Sequence, residues 1–499
     1  MKIGVVGTGA MGQGIIQLFA QSGNDILCFD SSAGAVPKAI EAITGLLARS
    51  VQKGKMTAEA FESVKARIQP VDSLLDLADC DLVIEAIVEK LEVKQGLFRN
   101  LETIVSDSAM LASNTSSLSI SEIAAACAKP ERVAGLHFFN PVPLMKVAEV
   151  IGGVRTTPAV VETLRVLVDL AGHRAVVVDD QPGFLVNHAG RGFPTEGLKI
   201  LEERVATTSE IDDVLREAAG FRMGPFQLLD LTGLDVSGKV MTSIYEQFQQ
   251  EPRVRPSSLV PPRVAAGLLG RKTGAGWYSY NGQDEAAASL SIPTLPAGMR
   301  FWIDPAADGA AALTALVESV GCTLADAAAA NVLIIQPWGV DATSYAAANG
   351  LDSAKTVAVD PLPAFTARRT LMLTVDTSAP ARDAAHALLA SDGVAVTVIS
   401  DSPGFIAQRV LATVVNIAAN MAQRGIGSVD DIDDAVRLGL GYPQGPLTWG
   451  DKIGGANILK ILNGMLSVTH DPRYRPSPWL ARRVAVGASL RTAEAPRRD

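Results

Sequence analysis

The chain has five histidines: His137, His173, His188, His386 and His470. Only His137 closes an apolar, strand-like run (residues 132–139) with a carboxylate, Glu149, soon after it. An imidazole oriented by a carboxylate is an acid–base pair suited to taking a proton from a hydroxyl near neutral pH. On spacing alone the default reading of the same histidine is a buried, satisfied core residue. A second motif opens the chain. Gly7-Thr8-Gly9-Ala10-Met11-Gly12 follows the apolar run 2–6 and precedes the helix-periodic Ile15, Ile16, Leu18 and Phe19. This is G-x-G-x-x-G in its strand–turn–helix setting. Gly7 permits a tight turn, Gly9 lets the backbone approach a pyrophosphate, and Gly12 lets helix pack closely on strand. The helix start then offers N–H groups to the anion. A second apolar run ends at Asp30, the position after the glycine turn at which an acid meets the adenosine ribose. No Arg occurs in 31–34 to pair with a 2′-phosphate, so the expected dinucleotide is NAD.

These groups need a scaffold. Apolar runs at 80–86, 109–113 and 132–139 alternate with helical patterns, one carrying Val93, Leu97, Leu101 and Ile104. Such alternation predicts an α/β fold with a mostly parallel, doubly wound Rossmann-type sheet. Ligands of such sheets sit beyond the carboxyl ends of the strands. Asp30, Glu85, Ser116 and His137 all fall at or just after strand ends, so they are expected to converge on one crevice.

Longer motifs surround these residues: 113–117 (SNTSS), 135–146 (GLHFFNPVPLMK) with Glu149, 181–187 (QPGFLVN) and 270–278 (GRKTGAGWY). Over residues 1 to about 282 they resemble the 3-hydroxyacyl-CoA dehydrogenase family. The resemblance implies reversible, NAD-dependent oxidation of an (S)-3-hydroxyacyl-CoA to the 3-oxoacyl-CoA, in fatty-acid or aromatic-acid catabolism. It implies that His137 is the base, that Glu149 holds and stabilises its ring, and that Ser116 and Asn187 hydrogen-bond the reacting oxygen or its surroundings. NAD contacts would come from Gly7, Gly9, Ala10, Met11, Gly12, Asp30, Glu89, Lys94, Ser116, Asn140 and Lys272. Coenzyme A would meet Ser116 and Lys53, although Lys53 reads equally as a solvated helix end. No metal site is implied. Two other readings share the opening: a β-hydroxyacid dehydrogenase with a helical catalytic lysine, and a non-catalytic NAD- or acyl-CoA-binding protein. The specific match to the His137–Glu149 pair, with Ser116 and Asn187 intact, favours the first reading.

The second half contains a repeat. Residues 401–405 (DSPGF) echo 180–184 (DQPGF), and Gly445-Pro446, Asp451 and Gly454 match Gly224-Pro225, Asp230 and Gly233, all at one constant offset. A helical domain therefore occurs twice. The expected layout is an NAD-binding Rossmann domain (1–178), a first helical domain (179–284), a Pro-rich linker (285–299), a degenerate Rossmann-like segment (300–400) and a second helical domain (401–499). Laying Asp360-Pro361 on Asn140-Pro141 puts Val357 at the His137 position and Gln408 at the Asn187 position. With no glycine loop and no histidine there, the second half is expected to keep packing without chemistry. In short family members the helical domain forms the dimer interface, which implies a pseudo-dimer within this one chain. A homo-oligomer remains open.

Composition sets the outer bounds. At 48% hydrophobic and 19% charged, the chain is an ordinary globular one, not a disordered one. A net charge of −9 and 5% aromatics argue against nucleic-acid partners. No apolar run reaches a membrane span. Four dispersed cysteines without a C-x-x-C pair fit a reduced, cytoplasmic setting, as does an N-terminus that enters a strand at once.

Overall fold

The computed structural model describes residues 1–281 and 291–495. The expected linker residues 285–290, and the last residues of the first helical domain at 282–284, lie outside the described residues. Two compact units form. The first comprises residues 1–188 and 424–440; the second comprises the described residues of 189–423 and 441–499.

The first unit is built on one eight-stranded sheet. Its strands are β1 (Lys2–Val6), β2 (Asp25–Phe29), β3 (Ile68–Pro70), β4 (Leu82–Glu85), β5 (Met110–Ser113), β6 (Val133–Phe138), β7 (Val147–Gly152) and β8 (Arg174–Asp179). They lie in the order β3-β2-β1-β4-β5-β6-β7-β8. All pairings are parallel except β6 with β7. β4, β5 and β6 are buried along their whole length, as parallel strands covered on both faces must be. The helix Ala10–Gln21 adds Ile15, Ile16, Leu18 and Phe19 to the same core. The α/β doubly wound architecture is thus as the sequence predicts. The apolar run 147–152, which the sequence pattern does not set apart, is a strand that carries Glu149 back along β6.

In the second unit, residues 300–400 form a six-stranded sheet of their own. The strands are β9 (Arg300–Ile303), β10 (Thr323–Leu324), β11 (Val332–Ile335), β12 (Thr356–Val359), β13 (Arg369–Leu373) and β14 (Val396–Ile399). The order is β10-β9-β11-β12-β13-β14, with β12 antiparallel to β13 and β13 parallel to β14. This reproduces the β6-β7-β8 edge of the first sheet, with fewer strands on the other side. The remnant is therefore a folded sheet with its own core around Phe301, Ile334, Val357 and Leu371.

Two ties repeat between the sheets and fix their correspondence. Asp180 accepts from the N–H groups of Ile120 and Ser121, and Asp401 from those of Ala342 and Thr343. The Asp179 N–H donates to Ile426 O at 3.1 Å, and its repeat counterpart, the Ser400 N–H, donates to Val205 O at 3.0 Å. Carried through the ladders, these ties put Asp360 at the His137 position, Thr370 at Glu149 and Gln408 at Asn187. Val357 corresponds to Ala134, earlier on its strand than the histidine. The linear alignment misplaces it, because matching Asn-Pro to Asp-Pro ignores the strand register. No histidine stands at the position in either alignment.

The rest of the second unit is helical. The turn Pro182-Gly183-Phe184 of the first unit and its repeat Pro403-Gly404-Phe405 in the second share a left-handed backbone, with Phe184 at φ 48° and Phe405 at φ 51°. Equivalent positions of the two helical copies meet one another. The rings of Phe221 and of Tyr442, its counterpart in the repeat, pack edge to face with centroids 5.0 Å apart. Gly192 lies against Thr413, its counterpart, where a Cβ would stand 3.3 Å from Thr413 Cγ2. The short turns Pro252–Val254 and Pro472–Tyr474 also pack together. Contacts between like positions are the mark of two-fold related elements. At the centre Arg409, 1% exposed, is held by Glu196 (2.8 Å), Glu203 (2.6 Å) and the Tyr474 hydroxyl (3.0 Å).

Candidate active site

His137 lies near the end of β6, and Glu149 stands directly opposite it on β7. Facing side chains of an antiparallel pair project from the same side of the sheet. Nδ1 of His137 lies 2.5 Å from Glu149 Oε2. Glu149 is fully buried, and its other oxygen accepts the N–H groups of Leu185 and Val186, each at 2.8 Å. The carboxylate is thus fixed at both ends. With Nδ1 so engaged, the 5% exposed imidazole presents Nε2 as its reactive nitrogen.

The glycine loop lies at the end of β1. Gly7 adopts φ 97°, and a Cβ on Gly12 would stand 1.9 Å from Gly7 O, so neither position accepts a side chain. Gly9, which caps the helix Ala10–Gln21, has no atom within 4 Å of where a Cβ would be. The first turn of that helix has N–H groups with no intrahelical acceptor. An open space bounded by such groups fits a pyrophosphate. Asp30 closes the loop. Its Oδ2 accepts the Thr8 N–H at 2.7 Å and the Thr8 hydroxyl at 3.0 Å, and Oδ1 accepts the Ser32 N–H at 2.9 Å. Burial works against its charge, but these hydrogen bonds outweigh it and hold the carboxyl below the usual carboxylate range.

A charged chain ties β4 to β5. Lys94, 1% exposed, places its ammonium 2.6 Å from Glu85 and 3.2 Å from Glu89. Glu85 also accepts the Ser113 hydroxyl at 2.7 Å. Glu89 Oε1 accepts the Thr115 hydroxyl at 2.6 Å and the Ser116 N–H at 3.0 Å. Burial opposes the Glu89 charge, but Lys94 and these donors keep its carboxyl below the ordinary range. Asn187 Nδ2 reaches Ser116 O at 3.4 Å. Glu85, Glu89, Lys94, Ser116 and Asn187 are therefore brought together. Asn140 follows β6 and is exposed. Lys53 is exposed at the C-terminal cap of the helix Ala35–Gln52, where a cation also suits the helix dipole. Lys272 lies in the second unit, 2.5 Å from Asp235. Sequence reasoning misses Leu185 and Val186, which act through their backbone, and residues 424–440, which join this unit from far along the chain.

A dinucleotide cradle at β1 and a carboxylate-held imidazole at the end of β6 define the class: an NAD-dependent dehydrogenase acting on a hydroxyl-bearing carbon. Comparison with known proteins narrows it. The descriptions "3-hydroxyacyl-CoA dehydrogenase, NAD binding domain" and "3-hydroxyacyl-CoA dehydrogenase, C-terminal domain" match residues 2–181, and residues 183–280 with 404–495. The chain is 38% identical over 484 residues to 3-hydroxyadipyl-CoA dehydrogenase of Escherichia coli strain K12, covering 97% of each chain. It is 41% identical over 281 residues to 3-hydroxybutyryl-CoA dehydrogenase of Bradyrhizobium diazoefficiens, covering 56% of this chain and 96% of that one. The crystal structure of an E. coli K12 protein described as 3-hydroxybutyryl-CoA dehydrogenase superposes with a TM-score of 0.87 at 36% identity, covering 97% of this chain and 98% of that one. The chain belongs to the 3-hydroxyacyl-CoA dehydrogenase family. It is an NAD-dependent oxidoreductase of 3-hydroxyacyl-CoA. Among the described residues no helix is long and apolar enough to cross a membrane.

Proposed function

We propose that the substrate is a short-chain or dicarboxylyl (S)-3-hydroxyacyl-CoA, interconverted with its 3-oxoacyl-CoA. The reading of the site rests on one observation above the others: the buried 2.5 Å His137–Glu149 pair. NAD, when bound, supplies the hydride acceptor for the carbinol carbon. His137 Nε2 takes the hydroxyl proton, and the Glu149 carboxylate holds the ring and offsets the charge it acquires. In the reverse direction the same nitrogen returns the proton. Ser116 and Asn187 bond the reacting oxygen and exclude other poses. Gly7, Gly9, Ala10, Met11 and Gly12 would hold the pyrophosphate through their backbone, and Asp30 the adenosine ribose. Glu89, Lys94, Ser116 and Asn140 would complete the cofactor contacts of this unit. Lys53, with Ser116, meets coenzyme A.

The acyl group is inferred from the relatives. The full-length match to a 3-hydroxyadipyl-CoA dehydrogenase supports a dicarboxylyl chain; the short relatives support a four-carbon one. NADH oxidation with acetoacetyl-CoA and 3-oxoadipyl-CoA separates them by kcat/KM, and failure to reduce either overturns the assignment. We further infer that the second helical copy is a built-in partner, so that the chain is a pseudo-dimer by itself. The like-with-like contacts of Phe221 with Tyr442 and Gly192 with Thr413 support this. Four free cysteines support a cytoplasmic location.

A further inference from the structure

Residues 424–440 belong to the second copy of the helical domain, yet they pack with residues 1–188. The helix Val429–Gly439 lies against β7 and β8. Arg174, at the start of β8, grips it through Asp431 at 2.5 Å and Asp434 at 3.1 Å. Arg424 donates to Gln181 Oε1 at 2.7 Å, and the Asp179 N–H donates to Ile426 O at 3.1 Å. These contacts bracket the turn 179–186. That turn carries Leu185 and Val186, whose N–H groups hold Glu149.

The same segment covers the side chains of those two residues. A Cβ on Gly427 would stand 2.8 Å from Leu185 Cδ1, and one on Gly439 would stand 3.2 Å from both methyls of Val186. The turn needs outside support. Gly183 (φ 73°) and Phe184 (φ 48°) are both left-handed, which for a residue with a Cβ costs about 1–2 kcal/mol. Such a backbone persists only where neighbours over-determine it.

We propose that residues 424–440 are a positioning element for the acid–base pair. By clamping the turn 179–186 they hold the two N–H groups that fix Glu149, and through Glu149 they fix His137. The second helical copy, which has no acid–base pair of its own, thereby takes part in the chemistry of the first unit. The proposal rests on the reading of His137 as the base. The same swap occurs in reverse in the second unit, where Arg368 reaches Glu217 at 2.9 Å and Ser400 reaches Val205, but there Thr370 stands in the carboxylate position and nothing is left to position.

The test uses the full chain. Gly439→Val drives a branched side chain into Val186, and Arg174→Ala removes the grip on the helix. Each is made in the wild-type and in the Glu149→Gln background. Single-turnover rates are measured with 3-hydroxybutyryl-CoA, and NADH affinity by fluorescence titration. Gly439→Val is expected to slow the single turnover roughly 10- to 100-fold, as small misplacements of a catalytic group do, with NADH affinity unchanged. Arg174→Ala gives a smaller loss, which Arg174→Lys partly restores. In the Glu149→Gln background neither substitution slows the reaction further, because residues acting through one group are non-additive. Losses that multiply in that background, a parallel loss of NADH affinity, or undiminished rates in both single variants overturn the proposal. If Gly439→Val does not fold, Arg174→Ala decides alone by the same criteria. A Glu149→Gln enzyme with wild-type rate would instead overturn the base-pair reading itself.

Discussion

Replacing Glu149 by Gln keeps the shape of the side chain and removes one acceptor. The buried carboxylate gives one oxygen to His137 Nδ1 and the other to two backbone N–H groups. A glutamine has two ways to sit there. Turned one way, its NH2 meets the Leu185 and Val186 N–H groups, leaving two buried donors unpaired at about 1–3 kcal/mol each. Turned the other way, its oxygen keeps both N–H groups and its NH2 faces Nδ1. The second arrangement wins. It forces Nδ1 to accept, so the ring proton moves to Nε2, the atom that must take the substrate proton. Turnover then runs through the minor tautomer and loses the carboxylate charge as well. A loss of about 10³- to 10⁴-fold in kcat follows, the scale seen when a buried carboxylate behind a catalytic imidazole is made neutral. That is about 4–5.5 kcal/mol of barrier. Single-turnover oxidation of 3-hydroxybutyryl-CoA at saturating NAD measures it, with NADH affinity as the control. His137→Gln should fall to a similar floor, and the double variant no lower. A Glu149→Gln enzyme with an undiminished single-turnover rate would refute the tautomer argument, and so would a rate loss matched by lost cofactor binding.

Asp30 is held ionised by Thr8 and Ser32, so it repels a 2′-phosphate: kcat/KM should favour NADH over NADPH, and Asp30→Ala should narrow the ratio mainly by weakening NADH; equal values in the wild type would contradict this. Asp360 is pushed up to about 6 by burial, against about 4 in the unfolded chain, so its contribution to stability is complete below about pH 4 and is lost as pH rises through about 6. Asp360→Asn should therefore be more stable than the wild type at pH 8, by about 1–3 kcal/mol, with the difference vanishing near pH 4 in denaturant titrations. Arg409→Met removes the nearest cation from the fully buried Glu196, while the part-exposed Glu203 keeps Lys199, and should cost about 3–5 kcal/mol, read as a lower Tm.

The first sheet and its crevice were legible because parallel-sheet physics writes itself locally. Apolar runs mark the strands, Gly7, Gly9 and Gly12 mark the one turn that must come close to a ligand, and strand ends mark the site. His137 and Glu149 could be paired as residue types, but their direct opposition depends on β7, whose short apolar run is hard to separate from its surroundings. The repeat was legible where turns demand glycine or proline, as at Gly183 and Gly404. It was not legible between them. Strand register leaves no trace in a degenerate segment, so the linear alignment puts Val357 at the His137 position that Asp360 holds. Nor could spacing reveal that residues 424–440 leave their own copy, since the helix Val429–Gly439 carries the same amphipathic pattern wherever it docks. Leu185 and Val186 meet Glu149 only through their amides, which any sequence would supply.

The meeting of like positions has a consequence for how this chain can change. In a dimer of identical subunits, a residue on the two-fold axis faces itself, so every substitution happens twice and must tolerate its own image. Here the two sides are separate codons. Gly192 faces Thr413 and Phe221 faces Tyr442, pairings that no self-association could present. Arg409 goes further: its counterpart in the first copy is His188, so an arginine with two carboxylate partners occupies one side of the pseudo-axis only. For a built-in partner as proposed above, covalent linkage also removes dilution as a hazard, because the effective concentration is set by the chain and not by expression level.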